Sequence, residues 1–215
     1  MTFDSRSFSK DLKIARYAHQ YGDVVHQELI KKHLAQLKEV DLTTLVSDVE
    51  KMTFWINVYN GMTNYAIIQY EIKQSMKEDP HFFKHPLFKI GTISFSLDDI
   101  EHGILRRNAR NHIETGNSKL TYMVDKIDYR IHFALNCGAQ SCPAIAFYTE
   151  ENLEEELAIA KASFISQEFI INNENQTISC SSLFEWYKED FGDLFLQDPK
   201  YNDYAVTLKE YDWRI

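Results

Sequence analysis

The chain is short of the residues that break structure: seven glycines and four prolines in 215 residues leave no stretch that reads as a linker. One domain over residues 1–215 is expected, with an N-terminal helical extension. Basic residues are also in deficit, and the formal charge of −9 lacks the positive stripe that tracks a phosphate backbone. Nucleic acid is therefore excluded as a partner, and a small molecule, a peptide or another protein is expected instead. No apolar run approaches the ~20 residues that span a bilayer, so no membrane role is expected. The opening MTFDSRSFSKDL has neither the basic nor the apolar segment of a secretion signal, which points to a cytoplasmic protein. Cysteine is scarce, and three is an odd number. In a reducing compartment these residues are expected to stay thiols, with Cys180 in the core. Neither C-x-x-C nor H-E-x-x-H occurs, so no metal and no cofactor is expected.

What is present is concentrated in Arg130–Pro143, RIHFALNCGAQSCP. Alternation of Tyr129, Ile131, Phe133 and Leu135 predicts a strand with one buried face. His132 and Asn136 then share the opposite face, separated by Ala134. Gly138 permits a sharp exit from the strand, and Pro143 keeps Cys142 out of helical geometry. The loop between them, with Cys137, Ser141 and Cys142, is expected to have a defined shape.

Upstream, apolar spacing predicts two helices between Ser9 and Val40, with Asp23 available to cap the second. A short helical stretch follows near Asp41. A long central helix is predicted from Val49 to Lys73, apolar over more than half its circumference. Its polar remainder, Thr53, Asn57, Asn60 and Asn64, forms one stripe. Asparagine is a mediocre helix former, so the stripe reads either as a ligand-facing surface or as amides satisfied by backbone. Phe88–Ile90 and Ile93–Leu97 suggest a hairpin. The helix after Ser96 carries Asp98 and Asp99 first and Arg106 and Arg107 last, the order a helix dipole favours. Glu101 falls inside its apolar face, and His102 lies within reach of Asp98 or Arg106. Thr149 is expected to cap a helix through Phe164. Phe169–Ile171 and Thr177–Cys180 suggest a second hairpin. Ser182 and Glu185 have capping-box spacing before a helix stopped by Gly192, with Trp186 and Phe191 inward. The tail is left as loop with a short strand.

Four segments occur in order: FWINVYNGM (54–62), SLDDIEHGILR (96–106), HFALNCGAQSCPAI (132–145) and LFEWYKEDF (183–191). Together they resemble the family called domain of unknown function 547 (DUF 547), over about residues 25–195. Members look similar to papain-like and transglutaminase-like α+β proteins. The resemblance implies an α+β fold in which several helices pack on a mostly antiparallel sheet. In those enzymes a cysteine starts the central helix, whereas here that helix contains none.

A thiol nucleophile needs a base, an orienting partner and donors for the oxyanion. Cys137 or Cys142 is the candidate nucleophile and His132 or His102 the base. Glu101 or an asparagine would orient the base, and N–H groups around Gly138 would serve the oxyanion. On a continuous strand Cys137 lies roughly 16 Å from His132 and on the other face, whereas Cys142 can fold back. All histidines precede Cys137, which excludes the papain chain order. The expected activity is a thiol-assisted hydrolase or acyl transferase acting on a peptide or amide. The alternative is a non-catalytic pocket in which Asn57, Asn60, Asn136 and Ser141 bind a peptide or small ligand. A reversible Cys137–Cys142 disulfide and a zinc site are weaker readings of the same residues.

Overall fold

The computed structural model describes residues 3–22, 26–85 and 88–215. The element order is α1 (Ser5–Gln20), α2 (Gln27–Lys38), α3 (Asp48–Gln69), β1 (Phe88–Ile90), β2 (Ile93–Phe95), a π-helix (Asp99–Leu105), α4 (Leu153–Glu168), β3 (Phe169–Asn172), β4 (Thr177–Ser181), α5 (Leu183–Trp186), α6 (Lys188–Phe191) and β5 (Ala205–Lys209), with short 3-10 turns between. Asp23, the expected cap of α2, lies outside the described residues.

Helix α3 is the axis of the fold. Every residue from Lys51 to Asn64 is buried, so it is sheathed on all sides as a helix of this composition must be. It starts at a reciprocal cap, with Ser47 Oγ accepting from the Glu50 N–H and Glu50 accepting from the Ser47 N–H. It stops at Gln69 rather than Lys73, because Glu71 adopts a positive φ that a helix does not admit. Helix α1 lies along α3, and Gly61 permits that contact: a Cβ there would sit 2.5 Å from the Phe8 ring.

The α+β class holds, but not the expected sheet. Two small sheets form: the antiparallel hairpin β1–β2, and the order β3–β4–β5, in which β3–β4 is antiparallel and β4–β5 parallel. The second sheet packs with α4 and α5 rather than on α3, so the papain-like and transglutaminase-like arrangement is not supported. The tail that looked irregular supplies β5.

Arg130–Asn136 is not a strand. Tyr129–Phe133 is a 3-10 turn whose first N–H groups are capped by Asp128, which also grips the Arg130 guanidinium. Ile131, His132 and Phe133 are all buried, because Ile131 belongs to the main core and Phe133 to a second cluster with Phe164, Phe184 and Phe191. Apolar residues serving two cores thus mimicked the alternation of a strand. Two caps also differ from expectation. Helix α4 begins after Asn152, leaving Thr149 to bond Glu156, and Ser182 donates its hydroxyl to the Lys209 carbonyl instead of capping α5. Phe191 is buried, while Trp186 is 40% exposed and packs on Tyr211 and Trp213 of the tail.

Candidate functional site

The asparagine stripe of α3 builds the site without lining it. Asn57 accepts from the Tyr148 N–H at 3.1 Å and donates to the Tyr148 carbonyl at 2.9 Å. Asn60 accepts from the Asn136 N–H at 2.8 Å and donates to the Ala134 carbonyl at 3.0 Å. Both amides are wholly buried, and each treats the 134–148 segment as a strand neighbour would. The expectation that Asn57 and Asn60 meet a ligand is therefore corrected: their polar atoms are spent on backbone. Asn136 continues the pattern, accepting from the Gly138 N–H and donating to the Pro143 carbonyl. Gly138 has φ +93°, and a Cβ there would lie 2.7 Å from Ile67 Cδ1.

That segment walls a cavity of about 190 Å³ shared by Tyr59, Asp98, Glu101, His102, His132, Cys137, Cys142, Tyr187 and Tyr211, with Trp186 and Trp213 near them. That volume is enough for one side chain or a small molecule. The π-helix widens each turn, with Arg106 and Asn108 donating five residues back to the Glu101 and Gly103 carbonyls. This winding brings the consecutive Glu101 and His102 to one cavity.

Glu101 is buried and accepts from Tyr187 Oη at 2.6 Å and Tyr59 Oη at 3.1 Å. Burial alone would raise its pKa, but His102, the Tyr187 bond, His132 and Arg106 outweigh that and hold it below the usual value. Glu101 thus stays ionised. His132 is equally enclosed, stacked on Tyr187 at 3.9 Å, with Nε2 2.8 Å from Asp190. Burial pushes the His132 pKa down despite Asp190 and Glu101, so the ring is neutral near pH 7. Asp190 is driven well below the ordinary carboxylate range: burial opposes this, but bonds from His132 and Arg106 prevail. An ionised carboxylate only accepts, so His132 donates from Nε2 and its Nδ1 carries the free lone pair. Arg106 extends the network from Asp190 to His102, donating to His102 Nδ1 at 2.9 Å and placing the His102 proton on Nε2.

Cys137 and Cys142 are joined in a disulfide, which corrects the expectation of free thiols; Cys180 alone is free, buried, its thiol pushed up to about 11 by burial. The turn stapled by Asn136 brings the two sulfurs together across five positions, the pairing that the sequence offered as a weaker reading. Tyr211 Oη lies 3.1 Å from Cys142 Sγ and 3.4 Å from Cys137 Sγ, and the Cys137 N–H donates to Cys142 Sγ at 3.1 Å. Burial pushes the Tyr211 hydroxyl well above the ordinary phenol value, so it keeps its proton.

Four N–H groups of the loop expected to serve the oxyanion are already engaged. The N–H groups of Gly138, Gln140, Ser141 and Cys142 are bonded to Asn136, Arg214, Asp212 and Ala139 respectively. Ser141 and Asn136 face a different cavity, on the far side of the loop. Among the described residues no three His, Cys, Asp or Glu side chains converge as metal ligands. Sequence reasoning missed Asp190 and the three tyrosines, whereas of the two partners it offered His102 the structure pairs it with Arg106. Asp190 and Tyr187 stand in the LFEWYKEDF segment, one of the four that carried the resemblance and so the available signal, but Tyr211 belongs to a tail without pattern.

Residues 43–165, more than half of the chain, match the family described as "Protein of unknown function, DUF547". No curated protein and no solved structure matches the chain. Among the described residues, no helix is long and apolar enough to cross a membrane.

Proposed function

The chain belongs to the DUF547 family, and from that premise we propose that its smaller cavity is a thiol-dependent hydrolase or acyl-transferase site for a peptide or other amide, closed while Cys137 and Cys142 are joined. The observation that carries this reading is that a neutral imidazole, oriented by an ionised Asp190, shares the cavity with both sulfurs. This is the base-and-orienter pair a cysteine nucleophile requires. Glu101, expected to orient the base, is replaced in that role by Asp190.

Opening the site takes a dithiol reductant. The Cys137–Cys142 bond becomes two thiols while the reductant becomes a disulfide. In a cytoplasmic setting, proposed from the sequence, cellular dithiols favour that open form. Cys142 is the better nucleophile, because the Cys137 N–H points at its sulfur and favours a thiolate. His132 Nδ1 takes the thiol proton, the thiolate adds to the carbonyl carbon, and Tyr211 O–H donates to the developing oxyanion. The C–N bond then breaks, and the amine leaves with the proton from His132. Water or an acceptor amine releases the acyl group from Cys142.

Alkylation by iodoacetamide across pH, with peptide mapping, tests the reading. Before reduction Cys137 and Cys142 should both be inert. After reduction Cys142 should alkylate fast below neutral pH, and H132A should move that onset toward the ordinary thiol range near 8.5. Two slow, ordinary thiols after reduction would refute it.

The second reading is a binding module. The disulfide favours it, since a linked pair supplies apolar wall rather than a nucleophile. The occupant would be a small molecule or a peptide side chain with a donor for Glu101.

A further inference from the structure

We propose that the cavity behind the 136–147 segment is a binding site for a monocarboxylate with an apolar body, anchored by Arg16. This cavity, of about 680 Å³, lies between α1, α4 and that segment. It is distinct from the first cavity, and the two share Cys142 and Pro143 in the partition between them.

Arg16 is the observation that needs explaining. It is 8% exposed and lines the cavity, yet its guanidinium finds only neutral and distant acceptors: Asn64 Oδ1 at 3.5 Å and the Gly138 carbonyl at 3.4 Å. Its Nε has no partner, and among the described residues no carboxylate pairs with it. A buried cation without a counter-charge costs several kcal/mol in desolvation alone. The buried Arg106, by contrast, is fully matched by Asp190. A visiting carboxylate would complete Arg16 with the planar, two-oxygen geometry a guanidinium prefers.

The remaining lining selects the rest of the ligand. Phe147, Ile159 and Phe164 form an apolar wall. Of the two acids there, Glu156 is spent on Thr149 and Glu168 is paired with Lys209. Lys13 lies toward Phe147, 5.6 Å from its ring centroid, where it adds attraction without a second buried cation. One buried positive charge beside apolar surface suits a single negative charge on an apolar body rather than a polyanion.

The test is calorimetric titration of the full chain with octanoate, octan-1-ol and inorganic phosphate, together with thermal unfolding. Octanoate is expected to bind and raise the Tm, with octan-1-ol and phosphate each binding about tenfold or more weakly, the discrimination a charge-assisted hydrogen bond supplies. R16M should abolish the preference for octanoate over octan-1-ol while keeping or raising the ligand-free Tm, since an apolar isostere removes an unpaired buried charge. S163F, at an exposed position of the lining, should fold normally and weaken octanoate binding by crowding the cavity. Equal affinity for acid and alcohol, phosphate binding as tight as octanoate, or no octanoate binding would each overturn the proposal. Unchanged octanoate binding in S163F would do the same even if R16M failed to fold.

Discussion

His132 donates from Nε2 to Asp190 at 2.8 Å, and the same carboxylate holds Arg106, so one acidic side chain both decides the tautomer of an imidazole and supplies the counter-charge of a buried guanidinium. Nothing adjacent in sequence to His132 does this; Asp190 arrives from α6.

Substituting Asp190 by Asn keeps the shape but removes the charge. Arg106 is left buried and unpaired, and breaking such a pair costs about 3–5 kcal/mol. D190N should lose that much in urea unfolding, and its His132 should lose the fixed tautomer, visible in the imidazole nitrogen chemical shifts. A loss below about 1 kcal/mol would mean the pair is energetically idle.

Acid should destabilise the fold in two steps of the same sign. His132 has a folded pKa lowered from 6.5, so the unfolded chain takes up its proton first. Its contribution is whole above about pH 6.5 and is lost as pH falls toward the folded value. Asp190 and Glu101 have depressed folded values, so theirs is whole above about pH 4 and is lost as pH falls through those values. The Tm measured from pH 7.5 to 3.5 should fall throughout, and H132Q should flatten the upper limb. A Tm that rises on acidification to pH 5 would contradict this assignment.

The amide of Asn57 replaces a strand neighbour for Tyr148, so N57A strands one buried N–H and one buried carbonyl. At about 1–3 kcal/mol for each orphaned group, a loss of roughly 2–6 kcal/mol is expected. Asn117, which caps a surface 3-10 turn through the Lys119 N–H, is the control, and N117A should cost about 1 kcal/mol. Hydrogen exchange at the Tyr148 N–H should accelerate in N57A alone.

If Tyr211 donates to the oxyanion, Y211F should lower the acylation rate of the reduced protein on p-nitrophenyl acetate by about 100-fold, the typical cost of one such donor. Alkylation of Cys142 should change far less. Loss of alkylation and acylation to the same degree would assign Tyr211 to thiolate stabilisation instead.

Much of the architecture was legible because its signals are local. Apolar residues over more than half the circumference announce α3, and the turn between Phe169–Ile171 and Thr177–Cys180 announces the hairpin. Glu101 was rightly read as pressed toward the core, since one helix face carried it there. The strand expected at 129–136 failed because Ile131 and Phe133 are buried in separate clusters, and period-two burial in two places imitates one sheet face.

The sequence by itself determined the family, the helical axis and the crowding of imidazole, amide and thiol into one segment, because identity and periodicity are properties of neighbours along the chain. Only the tertiary structure decided what those groups do. The asparagines became backbone clamps because α3 is enclosed on every side, and the cysteines became a pair because the clamped loop turns back on itself. His132 acquired its partner from α6, and Arg16 met no carboxylate among the described residues. These outcomes depend on distances between elements far apart in sequence, and burial, which multiplies the value of each charge and hydrogen bond, exists only once those elements have met.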